Sequence, residues 1–304
     1  MHPPAQPPSI GPARPQRQAT TVPVPFERAG FAALSDLRSP GFSENFARLE
    51  TQQAAFLAHP RRYADPRYPW PRDALHNWSR PWEYTFLLHQ LERELASGGG
   101  TRLRAVDFGS GSTFFPFVVA RLGFHLICLD NDPVVTNELE RNVAAIDTAP
   151  GSIDVRLNSE RLPVEDESAD VAYSISVLEH MPDPVPVVNE IARILRPGGL
   201  FVLTMDVDVE GSEGVSPEHF NLLIEHLETS FTPAAPERSV PPLDLLTSKS
   251  SPWPRPVEPH VPGLMLRTRY GKMLPLIGGP GPRPPVLTVY GAALRRRGLS
   301  NFRT

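Results

Sequence analysis

Arg104-Ala105-Val106-Asp107-Phe108-Gly109-Ser110-Gly111-Ser112-Thr113, continuing to Phe124-His125-Leu126-Ile127-Cys128-Leu129-Asp130-Asn131-Asp132, is the stretch that decides the fold. Ala105–Phe108 is too apolar for a solvent-facing strand and reads as a strand buried on both faces. Gly109 and Gly111 then allow a tight turn and a close approach of the backbone to a ligand. A helix follows, with Ser112 or Thr113 as its cap and Phe114, Phe117, Val118, the stem of Arg121 and Leu122 on its apolar face. Gly123 ends that helix, and Phe124–Leu129 forms the next buried strand. Asp130 stands at its carboxyl edge, about twenty residues past the glycines, where a carboxylate accepts hydrogen bonds from ribose hydroxyls.

A plainer reading of the two glycines is an ordinary tight turn of an α/β protein, because one glycine pattern alone is weakly specific. If the turn does face a nucleoside, its third small position separates two cofactor classes. A dinucleotide fingerprint needs a small residue there, so that the helix packs close to the strand and meets a pyrophosphate. Here the position holds Phe114. A ring at that point disfavours NAD or FAD and suits a ligand without phosphates, such as S-adenosylmethionine.

Further strands follow in order. Ile153–Leu157 precedes Asn158-Ser159-Glu160-Arg161-Leu162-Pro163, and Asp170–Ser174 precedes Val177-Leu178-Glu179-His180-Met181-Pro182-Asp183-Pro184. A helix then runs through Leu195, and Arg196-Pro197-Gly198-Gly199 opens a fifth strand, Leu200–Met205. Over residues 104 to 206 this succession resembles the class I S-adenosylmethionine-dependent methyltransferases. The resemblance is to the group that carries a glycine loop, an acidic ribose residue, a Leu-Pro turn, Leu-Glu-His and Leu-Arg-Pro-Gly-Gly in that order. It implies an α/β, doubly wound, Rossmann-like sheet of seven strands with a helical N-terminal cover.

The resemblance also implies roles. Asp107, Gly109, Ser110 and Gly111 match the loop along the methionine part of the cofactor, Asp130 the ribose ligand, and Asn131 the adenine edge beside it. Asn158 stands where the family often has an acid accepting from the adenine amino group, flanked by Ser159 and Glu160; an amide accepts there without charge assistance. Ser174 falls at the end of the fourth strand, near the expected methyl group. Residues 79 to 96 read as a helix, with Ser79 near its cap and Pro81 in its first turn. In related methyltransferases the element before the first strand closes over the cofactor, which makes Arg80 or Tyr84 a partner for the methionine carboxylate; simple packing of Trp82, Tyr84 and Phe86 is the alternative.

The chain has 304 residues, 37 prolines, one cysteine and a net charge of −4. That length can bury one good core, and the charge gives no electrostatic case for nucleic acid. Cys128 reads as a buried small hydrophobe, with no disulfide partner and no thiolate cluster. No apolar run reaches the length of a membrane span, and the proline-rich start lacks a signal-peptide core, so a cytoplasmic location is expected. Residues 1–25 read as a disordered leader, 26–100 as a helical N-terminal cover, and 101–232 as the cofactor-binding core. Residues 233–285 form a Pro-rich insertion or lid, with a short helix at Leu264–Leu276, and 286–304 the final strand and basic tail. Leu243–Thr247 is the candidate for the sixth strand. Asp206, Asp208 and Glu210 fall just past the fifth strand; as alternate acids they suit a metal or an amine, but a solvated loop before a helix capped by Ser216 is the plainer reading.

Methyl transfer asks the protein for positioning, removal of a proton and exclusion of water. His180 is the first candidate base, since an unperturbed imidazole is poised near neutral pH, although Glu179-His180 can instead only organise its loop; His219 and Asp206 are weaker alternatives. The expected function is transfer to oxygen, nitrogen or carbon of a small organic acceptor, in specialised metabolism, with S-adenosylmethionine as cofactor and no metal. A peptide or protein substrate, or an inactive cofactor-binding partner subunit, stays open. A nucleotide-dependent oxidoreductase is opposed by Phe114 and the later motifs.

Overall fold

The computed structural model describes residues 26–98, 102–209, 215–253 and 286–298. The expected leader, the short helix at Leu264–Leu276 and Glu210 lie outside the described residues.

Parallel strands form the centre of one sheet. β2 (Arg104–Phe108) lies between β3 (His125–Asp130) and β5 (Ala169–Ile175); β4 (Ser152–Leu157) extends it beyond β3, and β6 (Leu195–Asp208) beyond β5. β8 (Leu287–Arg296) runs antiparallel along β6, and its outer edge carries two short antiparallel strands, β1 (Gly30–Phe31) and β7 (Phe231–Pro233). The order is β1-β8-β6-β5-β2-β3-β4. Because the direction of winding reverses at β2, the crevice at the carboxyl ends of β2 and β5 is where an open α/β sheet binds its ligand.

Each face of the sheet has its own core. On one face α1 (Pro40–Leu57), α2 (Arg80–Ser97), α3 (Phe115–Arg121) and α4 (Pro133–Ala145) bring Leu49, Trp82, Phe86, Phe117 and Leu139 against Ala105, Leu126, Val171 and Val202. On the other, α5 (Val185–Ile194) and α6 (Pro217–Ser230) set Val188, Ile191, Phe220 and Leu227 against Val106, Ile127, Phe201 and Leu203. The strand residues divide by parity, as a pleat buried on both sides requires. Cys128 is buried within β3, as its setting in the sequence suggests.

Four local expectations are corrected. The described residues form eight strands rather than seven. The strand left unplaced is Phe231–Pro233; Leu243–Thr247 instead begins within a 3-10 turn at Pro242–Asp244, which takes its first two residues out of extended geometry, and makes only single bridges, to Ala33 and Thr288. α3 begins at Phe115 with Phe114 at its N-cap, while Thr113 Oγ1 accepts from Phe115 N just outside the helix. The fifth predicted strand runs on to Asp208, so Asp206 and Asp208 belong to β6 and not to a solvated loop; Asp208 is fully buried. Ser216 does cap α6, accepting from His219 N.

The N-terminal segment is fastened rather than loosely laid on. Asp36, buried, accepts from Arg28 Nη2 at 2.6 Å, Trp82 Nε1 at 2.9 Å and Ala33 N at 3.0 Å. A side chain at Gly291 would put its Cβ 2.7 Å from the Trp82 ring, so β8 needs glycine there for α2 to lie flat on the sheet.

Candidate cofactor and acceptor site

The glycine loop is closed on itself. Gly109 and Gly111 have φ of +76° and +59°, which side chains seldom adopt. Gly109 N and Ser110 N both donate to Leu129 O, at 2.8 and 3.1 Å. Gly111 N donates to Asp130 Oδ2 at 3.0 Å, and Ser112 N to the Tyr68 hydroxyl at 3.1 Å. All four successive amides are therefore engaged inside the protein. A pyrophosphate cradle needs such amides free; this loop does not offer them.

Asp130 Oδ1 accepts from Asp132 N at 3.0 Å. Each of its oxygens thus holds one backbone donor and keeps a second acceptor site, which fits a pair of ribose hydroxyls. Burial pushes its carboxyl upward, against the backbone donors. On the same face, the register aligns Tyr173, Asp107 and Cys128 across β5, β2 and β3. Burial drives Asp107 up to about 8, with the Asp130 charge adding to it and the Tyr173 hydroxyl opposing it. That hydroxyl interacts with Asp107 electrostatically yet has no partner at hydrogen-bond geometry. A buried acid next to an unpartnered phenol is costly for the protein alone and favourable toward a ligand carrying an ammonium group.

The adenine side is more open. Asn158 N donates to Asp130 O at 2.7 Å, which keeps the ends of β3 and β4 in step, and Asn158 Oδ1 accepts from Ser159 N at 2.9 Å. Asn131, Ser159 and Glu160 are exposed around it. Ser174 is fully buried without a hydrogen-bond partner, and strand parity places it on the opposite face from Tyr173.

The start of α2 roofs the end of β5. Ser79 makes no cap bond; its hydroxyl lies 3.4 Å from Glu83 Oε2. Glu83, fully buried, accepts from Arg80 Nη1 at 2.7 Å and from Ser176 Oγ at 2.5 Å, while the same Arg80 nitrogen reaches Ile175 O at 3.4 Å. Ser176 takes a φ of +47° to make this contact. Burial works against the Arg80 charge, but Glu83 and the nearby Tyr84, Asp206 and Glu179 outweigh it and hold the guanidinium ionised. Tyr84 packs between Phe114 and Phe115, its hydroxyl directed at Thr113, and burial raises it to about 12.

Leu178–His180 forms a 3-10 turn beyond β5. His180 is exposed on it. Glu179 is half-buried as a residue, but its carboxylate is sequestered: Oε1 accepts from Asp206 N at 3.1 Å and Oε2 has no partner. Burial raises this carboxyl to about 7. His219 lies on α6 with its backbone amide bonded to the Ser216 cap. Among the described residues no group of three or more His, Cys, Asp or Glu could hold a metal, and no helix is long and apolar enough to cross a membrane.

The structure therefore brings Asp107, Gly109, Gly111, Asp130, Asn158, Arg80 and Tyr84 to one sheet edge. It adds Tyr68, Glu83 and Ser176, which the sequence does not single out and whose only signal there is a polar or aromatic residue near a break in pattern. Glu179, expected at most to organise its loop with His180, accepts from Asp206 N across to β6.

Residues 106–203 match the model of the methyltransferase domain family. An uncharacterized methyltransferase of Mycobacterium sp. (strain JLS) is 39% identical over 120 residues, covering 40% of this chain and 44% of that protein. One of Mycobacterium ulcerans (strain Agy99) is 37% identical over 102 residues, covering 34% and 38%. The chain thus spans less than half the length of the curated relatives it matches. Among solved structures, the cyclase SpnF is similar with a TM-score of 0.50 at 16% identity, over 89% of this chain and 99% of that one, a likeness of fold alone.

Proposed function

We propose that this chain, whose core is a class I S-adenosylmethionine-dependent methyltransferase domain, binds S-adenosylmethionine at the carboxyl edge of β2, β3 and β5 and moves its methyl group to a small organic acceptor. The glycine loop carries this reading: its four engaged amides turn away a pyrophosphate, while Asp130 and Asp107 leave acceptors for a ribose and an ammonium group. The cofactor, when bound, supplies an electrophilic methyl group on a sulfonium.

The protein's own part is to hold and to shield. Asp130 orients the ribose; Asn158, with Asn131, Ser159 and Glu160, borders the adenine; Asp107 meets the ammonium group, with Ser110 beside it. Arg80 and Tyr84 close the roof from α2, and Ser174 backs the end of β5. A closed, dry roof strengthens every charge interaction beneath it. For a proton leaving the acceptor, His180 is the base on the solvent side of the turn. Glu179 Oε2, unpartnered and raised to about 7, is a second taker from within.

Methyl-labelled S-adenosylmethionine, offered with panels of small amines, phenols and carboxylic acids and read by mass shift, tests the activity. The expected result is label on one acceptor class, lowered in His180→Ala or Glu179→Gln without loss of cofactor affinity. Label only on peptides or proteins would move the substrate class. Cofactor binding with no transfer to any acceptor would leave a cofactor-binding partner subunit.

A further inference from the structure

The segment between α1 and α2, residues 61–73, is a strap held on α4 by two fully buried side chains. Asn142 accepts from Tyr63 N at 2.7 Å and donates to Tyr63 O at 3.1 Å. Glu138 accepts from Asp65 N at 2.6 Å and from the Arg72 guanidinium, which also bonds Asp65 O. Arg141 lies over the Tyr63 ring at 4.1 Å and Arg72 over the Tyr68 ring at 4.5 Å. A buried carboxylate such as Glu138 is tolerated only when paired; here every partner it has belongs to the strap.

The strap delivers one hydroxyl to the glycine loop. Tyr68 Oη accepts from Ser112 N and sits 3.3 Å from where a Cβ on Gly111 would be. Because that oxygen is the acceptor toward Ser112, the phenolic hydrogen is left to donate elsewhere. Burial holds the phenol protonated at every ordinary pH. A carboxylate lying along this loop needs donors; the four loop amides are engaged, and Arg80 spends Nη1 on Glu83 and Ile175 O, which leaves its other nitrogens as a second source of donors from α2.

Resting on the function proposed above, we infer that Tyr68 is a cofactor-positioning residue: its hydroxyl donates to the carboxylate of the cofactor's methionine part, relaying the Ser112 amide that the loop cannot offer directly. Such a chain, N–H to O–H to carboxylate, is polarised along its length and is stronger than its last bond alone.

Calorimetric titration of the full chain with S-adenosylhomocysteine and with 5′-methylthioadenosine, which lacks the amino-acid part, tests this. In Tyr68→Phe the first ligand should weaken by about tenfold or more, the range for a hydrogen bond to a charged group, and the second should change less than twofold. The carboxamide analogue of S-adenosylhomocysteine, whose carbonyl still accepts but carries no charge, should bind the unaltered protein more weakly than the parent ligand, a measurement that does not depend on how the variant folds, and should lose less than the parent ligand does in Tyr68→Phe. Equal weakening of both ligands, or of neither, overturns the role of Tyr68. An unaltered protein that binds neither ligand overturns the cofactor reading itself, and this inference with it.

Discussion

Asp130 shows what one carboxylate does when two backbone amides share it. Its oxygens fix Gly111 and Asp132 and still face the site, so the same side chain sets the loop and holds the ligand. Removing its interaction with a ribose should cost about 2 kcal/mol, roughly thirtyfold in affinity for S-adenosylhomocysteine. Asp130→Ala should show that loss by calorimetry, and Asp130→Asn, which keeps an acceptor for the amides, a smaller one; unchanged affinity in both would put the ribose elsewhere. Asp107, the glycines and Asp130 are legible in the sequence because strand, turn and strand are local and their spacing is fixed. Tyr68 and Glu83 are not, since their partners Ser112 and Ser176 are 44 and 93 residues away and only packing brings them together.

Between elements, the contact that sets the site is the loop after β5 against the loop after β2. A Cβ on Gly109 would lie 2.5 Å from Val177 Cγ2, at a φ of +76°. Gly109→Ala should therefore destabilise by about 1–3 kcal/mol, combining backbone strain with overpacking. Adding Val177→Ala should recover the overpacking part and leave the strain. Urea unfolding of the single and double variants measures both, and a single variant as stable as the parent would mean the two loops are not in contact. The elements of the central sheet are readable because buried parallel strands are continuous apolar runs between glycine and proline signals. The edge strands are not: β1 and β7 have two and three residues, too few for any period, and exist because β8 presents an open edge.

Across the whole molecule, the cost of the site appears as a dependence on pH. Burial raises Asp107 to about 8 and Glu179 to about 7, and raises Asp130 as well. Between the unfolded carboxylate range near pH 4 and those values the folded chain binds more protons than the unfolded one, so stability falls as pH rises through that window. Carboxylates held low by arginines or backbone donors, such as Asp166 and Glu190, act oppositely and are lost only in acid. The melting temperature of the free protein should thus decline from about pH 5 to 8, by about 2–4 °C for each kcal/mol lost. Asp107→Asn should flatten the decline, and a melting temperature rising over that range would contradict the assignment. None of this is visible in composition, where a net charge of −4 says nothing about which acids are buried. One property sets this sheet edge apart from a dinucleotide site: the amides of its glycine loop are closed to phosphate. Calorimetric titration of the protein with S-adenosylhomocysteine and with NAD tests that property most directly. Binding of the first without the second is the predicted result; binding of NAD, or of neither, would contradict it.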